Sequence, residues 1–389
     1  MNKQEEDKFW ATQRPESRIK ALLVSDYFPQ YCRIVDRGKG EGFVYVDLWA
    51  GRGKYGDGKL STPLLLGDII AKDANLREKV TFVFNDLNNM ETLKTNFYER
   101  FPKGTFVKEP RFGNYDAEND PIIKRYLNRK LEKGKINNPA LMFFDPFGYA
   151  GIDTVSLSNF LKPWGNELFL FLNVNRVIPA LTNPKMVSHI QAMFPNLKDL
   201  VVKEVAATNS DEKKVSILIK YLSEEFKKAL GNSLHHCAFK FMESDSRKTS
   251  HLIIHFTKHP KGFKLVKQVY YDYDNIGAVL EADGTFTFDA KKAYPTGIID
   301  FSMDDNYINL SEKLAKEFAG RELSAARLID LHQPSSPYAP THYVQALRRL
   351  VELKVLQATF TDDVEHRVTV LPSESCILKF SLENGKILN

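Results

Sequence analysis

Residues 43–56 read FVYVDLWAGRGKYG. Phe43 to Leu48 have the aromatic and β-branched content of a buried strand that ends in an acid, Asp47, and Gly51, Gly53 and Gly56 follow as a glycine cluster. A helix begins only near Thr62, with Ser61 at its cap position and Pro63 in its first turn. Strand, loop and helix therefore follow one another, and the same grammar repeats downstream. Val80–Asn85 is a strand, Asn88–Phe101 a helix, Thr105–Lys108 a short strand, Asp120–Lys133 a helix and Ala140–Asp145 a strand. Such alternation predicts a Rossmann-like, doubly wound, mostly parallel sheet.

Upstream, Ile19, Leu22, Leu23, Tyr27, Tyr31 and Ile34 recur at three- and four-residue steps, so 17–35 is an amphipathic helix leading into this core. Downstream, Glu167–Val174 is a buried strand. Residues 175–204, broken by proline and polar residues, and a helix over Asp211–Leu230 then form a helical insertion of about 176–232. His236–Glu243 and His251–Lys258 alternate in polarity and predict an antiparallel hairpin at a sheet edge. After Leu310 the pattern changes to helices at Ser311–Phe318, Ser324–His332 and Pro340–Leu353, with two strands about the charged turn Asp362–His366. Three helices and a two-stranded wing describe a winged helix domain. The organisation expected is thus an α/β domain over 1–281, a linker over 282–308 and a winged helix domain over 309–389.

The chain has 389 residues, 43% hydrophobic and 26% charged, which is ordinary for a globular protein and excludes whole-chain disorder and collagen. The longest strongly apolar run, Leu168 to Val174, is far shorter than a membrane span, and the charged start MNKQEEDKFW does not read as a secretory signal. Three dispersed cysteines, Cys32, Cys237 and Cys376, form no metal or redox motif and suit a reducing, cytoplasmic setting. A net charge of +5 permits a polyanionic partner without demonstrating one. His251 and His255 lack the intervening glutamate of a zinc-protease helix, so no metal is expected, and no serine lies in a GxSxG elbow.

Gly51, Gly53 and Gly56 satisfy GxGxxG. A dinucleotide site, however, runs straight into its helix and meets an acid about 20 residues later, whereas here the helix is delayed and the next strand-end acid is Asp86. The spacing suits S-adenosylmethionine better. Asp47 is then near the ammonium group, Ala50, Gly51 and Gly53 let the backbone approach the carboxylate, and a strand-end acid binds the ribose hydroxyls. In FVFNDLN either Asn85 or Asp86 reaches the ribose, and charge favours Asp86. Asp116, after the third strand, is either an adenine contact or a solvated turn cap. The segment DLWAGRG at 47–53 resembles the first motif of class I methyltransferases.

The fourth strand, LMFFDPFGYAG, carries Asp145-Pro146-Phe147-Gly148 at the edge where α/β sheets bind ligands. Methylation of an exocyclic base amine needs acceptors that hold the NH2 and orient its lone pair. Asp145 and the Pro146 backbone supply these, and Phe147 is placed to stack on the base. The tetrapeptide resembles the DPPY or NPPF motif of amino methyltransferases, from which it departs by lacking the second proline, and resembles more closely the DPFG of tRNA guanine-N2 methyltransferases. Asn173 and Asn175 point toward the same edge, as base contacts or as satisfied strand-end amides. On the helix over 340–353, Tyr343, Ala346, Leu347, Leu350 and Leu353 form the buried stripe. His342, Gln345, Arg348 and Arg349 on its other faces are candidates for contact with nucleic acid or a partner protein.

Over almost its full length the chain resembles the bacterial three-Cys-motif partner family (TcmP), itself methyltransferase-like. The shared features are the helix before the first strand, YVDLWAGRGKYG, the delayed helix start at Ser61-Thr62-Pro63-Leu64-Leu65, FFDPFG and LIIHFTKHPKGFKLVKQV. The resemblance implies an S-adenosylmethionine site and a three-Cys-motif protein as partner but supplies no substrate; RNA or DNA is a candidate substrate on the strength of the DPFG tetrapeptide. The competing expectation is a non-catalytic Rossmann-like and winged helix interaction module.

Overall fold

The computed structural model describes residues 3–36, 42–129, 138–146, 151–242, 248–277, 280, 284–289 and 305–382. The chain divides into two units, 1–265 with 288–291, and 266–287 with 292–389. Most of the expected linker, 282–308, lies outside the described residues.

The first unit is built on β1 (Phe43–Asp47), β2 (Val80–Asn85), β3 (Arg111–Gly113), β4 (Ala140–Phe144), β5 (Glu167–Asn173), β6 (His235–Met242) and β7 (Thr249–Thr257). With β8 (Thr285–Asp289) they follow the order β3-β2-β1-β4-β5-β7-β6-β8. β1 pairs in parallel with β2 and β4, β2 with β3 and β4 with β5, whereas β7 runs antiparallel to both β5 and β6. This is the Rossmann-like, mostly parallel sheet expected from the alternation. The hairpin of β6 and β7 forms as expected, but β8 lies beyond it in strand order, so the hairpin is not itself the edge.

The third strand falls at Arg111–Gly113 rather than Thr105–Lys108. Phe106 accounts for the shift, because its ring packs on Phe82, Phe97 and Phe101 and is buried there. The apolar character of that segment therefore serves packing and not pairing. Helices α2 (Pro15–Val35), α3 (Thr62–Lys72), α4 (Ala74–Lys79), α5 (Met90–Arg100), α6 (Pro121–Leu127) and α7 (Thr154–Leu161) accompany these strands, and a further helix, α1 (Lys3–Ala11), precedes them. The insertion holds α8 (Val174–Leu181), α9 (Val187–Met193), α10 (Lys198–Ala206) and α11 (Asp211–Leu230). The bounds of α11 follow from its chemistry. The Ser210 hydroxyl accepts from the Lys213 N–H at 3.2 Å, Asp211 and Glu212 occupy the first turn, Lys227 and Lys228 the last, and Gly231 ends it at φ +91°. The insertion helices join Leu168, Leu170 and Leu172 of β5 and Met142 and Phe144 of β4 in one core.

A buried polar network fixes α2 to the sheet. Glu167 at the start of β5 accepts from Tyr27 Oη (2.5 Å) and Thr257 Oγ1 (2.6 Å) and meets His255 Nε2 at 3.1 Å. The unit boundary falls within α12 (Pro260–Tyr273).

The second unit contains α13 (Asn306–Glu317), α14 (Ala325–His332) and α15 (Pro340–Glu352), with β9 (Glu322–Ser324), β10 (Leu356–Phe360) and β11 (Cys376–Phe380) in an antiparallel sheet of order β10-β11-β9. It has the helix and sheet content of a winged helix. The charged turn does not close the wing directly, because His366 stacks on Phe360 at 3.9 Å and bonds to Asp362, which folds 362–366 back onto β10. No helix among the described residues is long and apolar enough to cross a membrane.

Candidate active site at the strand ends

Parallel pairing of β1 with β4 sets Asp47 opposite Phe143, so Asp47 and Asp145 leave the sheet at neighbouring strand ends. Both line a cavity of about 870 Å³ with Ala50, Pro146, Phe171, Asn173 and Asn175, and residues of α1, α2 and the start of α3 complete it. Its volume is within the usual range of ligand pockets. Asp47 is buried and accepts from the Trp49 N–H at 3.2 Å. Burial first, then the nearby Asp145 carboxylate, hold its carboxyl well above the usual range, while the Trp49 N–H and Lys20 act against this.

Lys20, from α2, forms an ion pair with Asp145, the two side chains being 15% and 19% exposed. Its ammonium also lies 4.3 Å from the centre of the Phe171 ring. Phe171 in turn stacks on His251 at 5.2 Å, nearly parallel, and His251 Nδ1 meets Ser250 Oγ at 2.9 Å. Asn173 Oδ1 is buried without a hydrogen-bond partner among the described residues. The strand-end amide is thus not satisfied through its oxygen.

The glycine loop is occupied from its own chain. Gly51 adopts φ +67°, and a Cβ there would lie 2.3 Å from the Trp10 ring. Gly53, at φ +78°, faces Leu93 and Leu64. Three hydrogen bonds hold helix α1 over the loop: the Arg52 guanidinium donates to Asp7 (2.7 Å), the Asn89 amide to Glu6 (2.7 Å) and the Gly56 N–H to the Trp10 carbonyl (2.8 Å).

Asp86 is buried beside the loop. Its carboxylate accepts from the N–H groups of Gly51 (3.0 Å), Asn88 (3.0 Å) and Asn89 (2.8 Å), so it organises the loop and the start of α5 and does not line the cavity. Asn85 is likewise engaged, by Leu48 and Tyr115. Asp116 caps a turn through the N–H groups of Glu118 and Asn119, and its bond from the Asn119 side chain is the main reason its carboxyl lies below the usual range. Asp116 does not line the cavity either. Phe147 and Gly148 lie outside the described residues.

The structure therefore brings Asp47, Ala50, Asp145 and Pro146 together and leaves Asp86 and Asp116 apart. Sequence reasoning missed Lys20 and Trp10, whose roles arise from docking of α1 and α2; Ser61 takes the expected cap position of α3, but without a side-chain capping bond. Within the second unit, His342 requires correction. It is buried, accepts from the Ala339 N–H at 3.0 Å and meets the edge of Tyr271 at 4.7 Å, so it is unavailable to an external ligand. Helical periodicity had set it off the apolar stripe, but aromatic neighbours cover that face. Gln345, Arg348 and Arg349 are half-buried.

The fold of the first unit is Rossmann-like, a mostly parallel sheet flanked by helices. No protein-family model matches the chain, and no curated protein matches it. Solved structures similar to it include the methyltransferase subunit of a type I restriction-modification system from Streptococcus thermophilus, at 13% identity over 63% of this chain and 44% of that one, with a TM-score of 0.33. Others are magnesium protoporphyrin IX methyltransferase from Synechocystis with bound SAH, at 13% identity, 66% and 87% coverage and a TM-score of 0.29, and an O-methyltransferase family 2 protein from Planctomyces limnophilus, at 10%, 64% and 63%, and 0.25. The chain spans less than half the length of the streptococcal subunit.

Proposed function

We propose that the first unit is an S-adenosylmethionine-dependent methyltransferase acting on an exocyclic amine of a nucleic-acid base, in RNA or DNA, and that it works with a three-Cys-motif partner protein. One observation carries the reading. Asp145 holds the Lys20 ammonium, an N–H donor, beside the face of Phe171, in the same cavity as Asp47. A base amine presents similar features, N–H donors next to a flat π surface, and this likeness supports the reading.

The cofactor fits at its amino-acid end, where Asp47 offers a carboxylate to the ammonium group and buried donors without partners among the described residues line the cavity. The engagement of Asp86 argues against its holding the ribose in this arrangement. When bound, the cofactor supplies an electrophilic methyl group on a positively charged sulfur. Asp145 and the Pro146 carbonyl accept the amine N–H groups and turn the nitrogen lone pair toward that methyl. Asp145 would take the proton that the nitrogen loses on accepting that methyl.

Wild type and Asp145→Ala, incubated with labelled cofactor and total cellular RNA or DNA, test the proposal, with labelled nucleosides identified by mass spectrometry. Transfer is expected to fall at least about 100-fold while cofactor affinity stays within a few-fold. Label on protein, ribose or a ring carbon would reject the amine assignment. The second reading, a non-catalytic interaction module, draws on Trp10 covering Gly51, and it is selected if cofactor binds but no methyl moves. The second unit delivers substrate or partner in this scheme. If it binds nucleic acid, replacing Arg348 and Arg349 flattens the dependence of affinity on salt by about one unit for each phosphate that is no longer neutralised.

A further inference from the structure

Helix α3 opens onto the cavity through Ser61, Thr62 and Pro63. Ser61 occupies the N-cap position with extended backbone, φ −89° and ψ 176°, where a serine ordinarily accepts an N–H from the first turn. Here it makes no such bond. Its Oγ has no partner among the described residues, in a residue only 9% exposed. The first-turn N–H groups of a helix have no acceptor within it, and the helix dipole favours an anion there. Trp10 adds a second buried donor to the lining, since its indole N–H also lacks a partner among the described residues. Buried donors left unsatisfied are uncommon and call for a ligand or water.

The same cavity holds Asp47, an acceptor for a cation. Two uncommitted donors in one cavity, one of them at the N-cap of α3, with one carboxylate, complement a zwitterion. We propose that Ser61, Trp10 and the first turn of α3 form a carboxylate subsite for an α-amino-acid group whose ammonium is held by Asp47. The inference rests on the cofactor reading above and moves the carboxylate contact away from the Gly51–Gly53 backbone, because Trp10 fills the approach to Gly51.

The test is calorimetry on the full chain with S-adenosylmethionine, its demethylated product and decarboxylated S-adenosylmethionine. Wild type is expected to bind the decarboxylated ligand about 10- to 100-fold more weakly, the usual effect of losing hydrogen bonds to a charged group. Ser61→Ala, and Trp10→Phe, which keeps a ring over Gly51, are expected each to weaken the two carboxylate-bearing ligands about 10-fold and to leave the decarboxylated ligand within about twofold. Unchanged binding of the decarboxylated ligand also shows that the variants fold. Equal losses for all three ligands, or none, would overturn the subsite while leaving the cofactor reading intact. Failure of wild type to bind any of the three would overturn both.

Discussion

Replacing Lys20 by methionine keeps the length of the side chain and removes the ammonium that faces Asp145. Exposed ion pairs are worth at most about 1 kcal/mol, whereas removing one partner of a fully buried pair costs about 3–5 kcal/mol. Side chains 15% and 19% exposed lie between these limits, nearer the second, so about 2–3 kcal/mol is expected. The attraction between the ammonium and the Phe171 ring, 4.3 Å away, disappears too and adds roughly 0.5 kcal/mol. At about 2–4 °C per kcal/mol for a unit of this size, the thermal transition of the first unit should fall by roughly 5–14 °C.

The loss should depend on pH, and its sign is fixed by Asp47. Burial and Asp145 raise the Asp47 carboxyl in the folded state, and Lys20 opposes them. A carboxyl raised on folding contributes stability that is fully present below its unfolded value, about 3.9, and is lost as pH rises through its folded value. Removing Lys20 raises that folded value further. The deficit of Lys20→Met should therefore be smallest in acid and largest near neutrality, and adding Asp145→Asn should recover most of it. Urea denaturation of both single variants and the double variant between pH 4 and 8 measures this. A deficit independent of pH, or single-variant losses that add within about 0.5 kcal/mol, would refute the reasoning.

Gly51→Ala should destabilise the first unit by about 2–4 kcal/mol in urea, because alanine is strained at φ +67° and its methyl would meet the Trp10 ring; an unchanged midpoint would show that α1 does not rest there. Glu167→Gln should cost about 2–3 kcal/mol by weakening three buried hydrogen bonds, read as a lower thermal midpoint, and a neutral result would mean that the carboxylate charge is dispensable. His342→Ala should lower the stability of the second unit by about 2 kcal/mol and leave the salt dependence of any nucleic-acid binding unchanged. A flatter salt dependence in that variant would return His342 to the binding face.

The parallel sheet was legible because strands buried on both faces read as apolar runs, and each run here ends at a punctuated turn. Asp47 and Asp145 were legible for the same reason, being the acids that close two such runs. Helix α1 was not, since KQEEDKFWA has no apolar period and docks chiefly through Trp10, whose partner Gly51 is 41 positions away. Asp86 was found as an acid in the right place, but its commitment to loop N–H groups depends on how 51 and 86–89 meet in space. His342 illustrates the limit of helical periodicity, because Tyr271, which covers it, lies on a helix about 70 residues earlier.

The position of β7 in the sheet bears on how the chain is made. β5 ends at Asn173, but its outer neighbour begins only at Thr249, and the Glu167 network is incomplete until His255 and Thr257 have been synthesised. At about 5–20 residues per second, translation of the intervening segment takes roughly 4–15 s. Throughout that interval ELFLFLN presents an unpaired apolar edge, the kind of surface that recruits strands from neighbouring chains. High contact order thus becomes a matter of timing on the ribosome, and conditions that slow elongation between residues 173 and 257 should lower the soluble yield more than equal slowing after β7 is complete.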